Sequence, residues 1–140
     1  MKTKTTSLEI SKKLMGLGVK LESDFVWCMQ LPFDKEYLED LTMMVKYEPS
    51  LIGMDFSMYK DYPSFYAYTA EEIGGMLPSE LRKDLYLNMV KCDGWWECSY
   101  DNEQGEAREL EEGDTMVDAM AEMLIWLIEE KLINVNQINN

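Results

Sequence analysis

The chain has 140 residues, 46% of them hydrophobic and 29% charged, with 27 acids against 13 bases and no histidine. That apolar content predicts one globular domain over residues 1–140 and argues against a disordered chain. A net charge of −14 argues against affinity for nucleic-acid phosphate or an anionic membrane, and lacking histidine removes the best proton-transfer group near neutral pH.

The charge is unevenly placed. Lys2, Lys4, Lys12, Lys13 and Lys20 face only Glu9 in residues 1–21, a balance of +4, whereas the remaining residues carry −18. The lysine-rich start runs into an amphipathic stretch with no continuous apolar core, so no secretory signal is expected. Cys28, Cys92 and Cys98 are an odd number without metal-type clustering, which points to free thiols in a reducing cytoplasm. The longest apolar run, Met123 to Ile128, is far below the ~20 residues needed to cross a bilayer.

In chain order, Thr6 with Glu9 begins an apolar helical pattern through Ile10 and Leu14, ended by Gly16 and Gly18. A threonine followed three residues later by an acid is a capping box, and it predicts a helix over 7–17. Extended segments are expected at 25–29, 41–47 and 54–59, where aromatic, branched and alternating residues gather. Thr69 with Glu72 predicts a short helix over 70–77, stopped at Pro78, in which Gly74-Gly75 signals local helix weakening or close packing rather than a phosphate loop.

Residues 84–100 form two strand-like runs around Asp93-Gly94, the preferred dipeptide of a type I′ turn. A two-residue loop there sets Cys92 opposite Trp95, Val90 opposite Glu97 and Met89 opposite Cys98. Leu85, Leu87, Met89, Trp96, Cys98 and Tyr100 then share a core face, and Tyr86, Val90, Cys92 and Trp95 the other. In that register Cys92 and Cys98 point apart, which argues against a disulfide between them. Residues 101–118 read as a solvated acidic loop, and Thr115 with Asp118 opens a final helix over 115–133, apolar nearly all round. The expected fold is α+β: an antiparallel sheet of about four to five strands, with three helices packed mainly on one face.

No motif carries recognisable chemistry. Asp101, Glu103 and Glu112 fit a calcium loop, but the glycine falls one place early, at Gly105. Three dispersed cysteines without histidine offer no zinc set and no activated nucleophile. No metal, cofactor or catalytic residue is therefore assigned. Trp95-Trp96 is the best contact feature, because alternation turns the two indoles to opposite faces. If the sheet is covered on one side, Trp95 stands exposed near Tyr86 and Val90, a possible surface for a partner.

Three stretches resemble small acidic proteins of bacterial phages, prophages and mobile elements. They are Ser11-Lys12-Lys13-Leu14 with Gly16-Leu17-Gly18 and the Glu22 to Trp27 run, Tyr68 to Ile73 with Met76-Leu77-Pro78, and Asp118 to Leu124. The resemblance implies an accessory protein of uncharacterised function and transfers no functional residue. The expected function is a non-enzymatic, cytoplasmic interaction protein that binds a protein partner or forms a homodimer. Two alternatives remain open: a nucleic-acid mimic that occupies the basic groove of a host DNA-binding protein, and a small enzyme using carboxylates alone.

Overall fold

The computed structural model describes residues 4–29, 44–47 and 64–140. The described elements run α1 (Leu8–Gly16), β1 (Val26–Met29), β2 (Met44–Tyr47), β3 (Ser64–Tyr66), α2 (Ala70–Met76), β4 (Glu80–Arg82), β5 (Leu85–Lys91), β6 (Trp96–Asp101), β7 (Ala107–Gly113), α3 (Met116–Glu129) and α4 (Val135–Ile138). The fold is α+β with antiparallel pairing throughout these strands. The strands divide into two sheets rather than one, a three-stranded β2-β1-β3 and a four-stranded β4-β5-β6-β7. The break falls at α2, which follows β3 and separates it from β4. The strand expected at 54–59, and residues 41–43 of the one expected at 41–47, lie outside the described residues.

Helix α1 begins one residue later than the capping box implies. Ser7, not Thr6, is the cap, its hydroxyl accepting from the Ile10 N–H at 3.3 Å. Thr6 is instead buried and bonded through every polar group. Its N–H donates to the Tyr68 carbonyl at 2.8 Å, its Oγ1 accepts from the Tyr68 N–H at 3.0 Å and lies 2.7 Å from Ser11 Oγ, and its carbonyl accepts from Trp27 Nε1 at 3.1 Å. The tertiary bonds outweigh the cap because a buried backbone N–H without a partner costs more than a shifted helix start. With Ser7 as the cap the third helical residue is Ile10, which has no carboxylate to return, and the Ser7 N–H donates instead to Asp118 of α3 at 3.0 Å.

Of the other two capping motifs, the one at Thr69 forms complete and the one at Thr115 forms its hydroxyl half. Thr69 and Glu72 make both reciprocal bonds of the box, at 2.8 and 3.2 Å. Thr115 accepts from the Asp118 N–H at 3.2 Å, leaving the Asp118 carboxylate free for Ser7. At the far ends, α1 and α3 close in the same way. Val19 donates to the Leu14 carbonyl and Gly18 to Met15, while Leu132 donates to Leu127 and Lys131 to Ile128. This is the Schellman arrangement, with its left-handed residue at Gly18 (φ 94°) and Lys131 (φ 58°). It stops α3 at Glu129, four residues short of the expected 133. Beyond it the short helix α4 forms, outside the span of the expected helix. Asn139 ties it down, donating to the Gly18 carbonyl at 2.8 Å and accepting from the Lys20 N–H at 2.7 Å.

Helix α3 is the central element and packs against β6, β7, α1 and α2. Met120, Leu124 and Leu127 are buried as their spacing implies, and Ile128 is half-buried at the margin. Two glycines allow its close approach. A Cβ on Gly74 would meet Met120 Cε at 3.3 Å, and one on Gly113 would collide with the Ala119 backbone nitrogen and lie 2.9 Å from its Cα.

Two substitutions test this packing. Thr6→Val keeps the shape but strips the Tyr68 N–H of its acceptor in the core, and chemical denaturation should show a loss of about 1–3 kcal/mol. Gly113→Ala forces α3 away from β7 and should cost about 1–3 kcal/mol as overpacking. An unchanged midpoint for either variant contradicts the corresponding contact.

Candidate functional site

The four-stranded sheet has two unlike faces. The Asp93-Gly94 turn closes with the Cys92 N–H donating to the Trp95 carbonyl at 2.8 Å, with Gly94 at φ 93°. Met89 pairs with Cys98 and Val90 with Glu97, the register expected from the turn. Cys98 and Tyr100 are fully buried beneath α3, and Leu85, Leu87, Met89 and Trp96 pack beside them. Tyr100 also donates its hydroxyl to the Pro78 carbonyl at 2.6 Å.

On the opposite face Tyr86 (45%), Val90 (41%) and Trp95 (41%) are exposed, as their alternation implies. A fourth apolar residue, Leu110 (40%), joins them from β7, opposite Ser99. The sequence reading missed it by taking 101–118 for a loop. Residues 107–113 are a strand, because β6 offers an open edge and an edge strand tolerates charge on its exposed side. The signal was Leu110 standing alone among alternating acids. Residues 102–106 are the turn between β6 and β7, folded around Asn102, whose Oδ1 accepts from the Gln104 and Glu106 N–H groups. Glu112 lies in the strand opposite Glu97, away from that turn.

Acids frame this open face. Glu97 sits between Val90 and Glu112 in register and accepts from Trp95 Nε1 at 3.2 Å. Asp101 pairs with Tyr86, and its Oδ2 accepts from Asn88 Nδ2 at 2.8 Å, while its Oδ1 is buried with no partner among the described residues. Tyr86 is raised above the ordinary phenol value, chiefly by the charge of Glu80, then by burial, Asp84 and Glu103. The face is thus a set of apolar positions embedded in negative potential.

The sheet thiols offer no nucleophile. Burial, with Glu111 and Asp101 nearby, pushes the Cys98 thiol up to about 12, and burial and Glu97 raise Cys92. Both are free and lie on opposite faces of the hairpin. Among the described residues no group of three or more acids or cysteines is placed to hold a metal ion.

A second cluster lies on the helix side. Glu111 of β7 and Glu122 and Glu129 of α3 line a shallow groove of about 380 Å³ with Lys13 of α1. Burial first, then Glu109, Glu122 and Glu129, pushes the Glu111 carboxyl up to about 7. Glu122 is also raised, mainly by burial, with Lys13 opposing. The groove brings carboxylates together without a histidine or an electrophilic group beside them. Comparison with protein-family models, with curated proteins and with solved structures returns no match to the chain.

The Glu111 cluster generates a pH prediction. Its folded-state pKa of about 7 lies above the ordinary 4.5, so the folded state holds the proton more tightly and stability falls as pH rises across that interval. Replacing the carboxyl by a neutral amide removes the repulsion. Glu111→Gln should raise stability at pH above 7 by about 1 kcal/mol, a figure reduced for water screening, and flatten the pH dependence below it. Urea denaturation across that range reads it, and a variant no more stable than the parent above pH 7 contradicts the cluster.

Proposed function

We propose that the chain is a non-enzymatic, acidic interaction protein that binds a basic protein partner through the open face of its four-stranded sheet. The carrying observation is the exposure of Tyr86, Val90, Trp95 and Leu110 on one face, the helices being packed on the other. Aromatic anchors at the centre of a patch supply most of the energy of an association, and surrounding charge selects the partner. Here the surrounding charge is Glu97, Asp101 and Glu112. A second copy of a −14 chain meets like charge on this face, so a heterologous basic partner suits it better than a homodimer.

The free, unactivated thiols suit a reducing cytoplasm. The likeness of three stretches to accessory proteins of phages and mobile elements suits a protein that acts by binding. No described helix is long and apolar enough to cross a membrane.

Trp95→Ala and Leu110→Glu are the test. Both side chains are exposed, so each variant should keep its folding stability within about 1 kcal/mol. A partner identified by affinity capture should lose about 30-fold or more in affinity for Trp95→Ala, as expected of a central aromatic anchor. Sedimentation of the protein alone should show a monomer. Capture that ignores both substitutions overturns the face, and a dimer abolished by Trp95→Ala replaces the basic partner with a second copy. Duplex DNA retained near physiological salt overturns the charge argument.

A further inference from the structure

The chain contains two arginines, Arg82 and Arg108, and both line one groove of about 460 Å³. They come from different strands, β4 and β7, and meet at the end of the sheet where the β4–β5 and β6–β7 turns approach the C-terminal part of α3. Lys83 adds a third positive charge, while Trp126 and Leu132 supply an apolar wall. In a body whose acids far outnumber its bases, this is a local reversal of sign. Both arginines are exposed, and among the described residues no hydrogen bond or ion pair occupies either guanidinium.

Left-handed backbone lies beside the groove at a tight turn and at a helix end. Asp84 (φ 72°) and Lys131 (φ 58°) are the two non-glycine residues described in the left-handed region. Asp84 lines the groove, its N–H held by Glu80 Oε1 at 3.2 Å, and Lys131 immediately precedes Leu132.

We infer that this groove binds a small molecule bearing a single oxyanion on a flat, apolar body. Its volume lies within the range of small-ligand sites. Guanidinium forks match the geometry of carboxylate and phosphate oxygens, and arginine stacks well on flat rings. Trp126 offers the apolar surface for the body of the ligand. Asp84 and Glu109 also line the groove, leaving it one net positive charge, which suits one anionic group and disfavours a polyanion. The site is separate from the open sheet face and does not depend on it.

Calorimetric titration with benzoate, phenyl phosphate and inorganic phosphate tests the inference. Benzoate or phenyl phosphate should bind with a Kd of about 0.1–1 mM, and the better of the two identifies the oxyanion. Arg82→Gln and Arg108→Gln should each weaken binding about 10-fold or more, and Arg82→Lys should recover only part of the loss. Trp126→Leu should weaken the ring-bearing probes and leave inorganic phosphate unchanged. Circular dichroism melts check that the variants fold, and Lys83→Gln gives a further reduction in affinity from an exposed position. Absence of binding at about 10 mM, or binding indifferent to both arginines, overturns the site. Inorganic phosphate bound as tightly as phenyl phosphate overturns the flat-body assignment.

Discussion

The structure depends on how the segment around Thr6 and Ser7 is held. Thr6 joins α1 through Ser11, β1 through Trp27, and the approach to α2 through both backbone groups of Tyr68. One residue later, the Ser7 N–H donates to the Asp118 carboxylate at the start of α3. Buried polar groups in a small core must be satisfied, because each one left open costs a sizeable share of a domain's net stability. These bonds therefore set where α1 starts and bring its cap against the first turn of α3. Burial raises the Asp118 carboxyl although the Ser7 N–H opposes it, as expected for a charge drawn into the interior to make one specific bond.

With α1, α2 and α3 gathered on one side, the four-stranded sheet is left with a covered and an uncovered face. The covered face takes Cys98, Tyr100 and the apolar side of β5. Charge follows the same division unevenly. Glu111 lies on the helix side, opposite Cys98 in register, and its raised pKa reflects partial burial among other acids. The uncovered face keeps its acids beside exposed aromatic and branched residues. An apolar surface surrounded by negative charge disfavours self-association and favours a basic partner, which is the physical basis of the proposed function. The thiols of Cys92 and Cys98 are both raised by burial and nearby acids, which favours the protonated form.

Much of the local structure was legible. The threonines at 69 and 115 mark true helix starts, Gly18 marks a true helix end, and Asp93-Gly94 sets a register that places Tyr86, Val90 and Trp95 on one face. Each of these signals acts within a few residues: a hydroxyl reaching its third N–H, a glycine at positive φ, a pleat of period two. The antiparallel α+β class follows from their order. The end of α3 was misplaced because Lys131 adopts a left-handed conformation that the residue type does not announce.

The rest needed the tertiary structure. Thr6 carries the same capping signature as the other two threonines, and only the arrival of Tyr68 and Trp27 makes it a core residue. Residues 107–113 carry more charge than a typical strand, and only the open edge of β6 draws them into the sheet and brings Leu110 to the contact face. The two arginines carry no motif, and their meeting depends on two turns and a helix end converging. Sequence determined what a residue does to its neighbours within a turn of chain, because those energies depend on spacing alone. Partnerships across distant segments were decided by the fold, because burial selects whichever polar groups and edges arrive together.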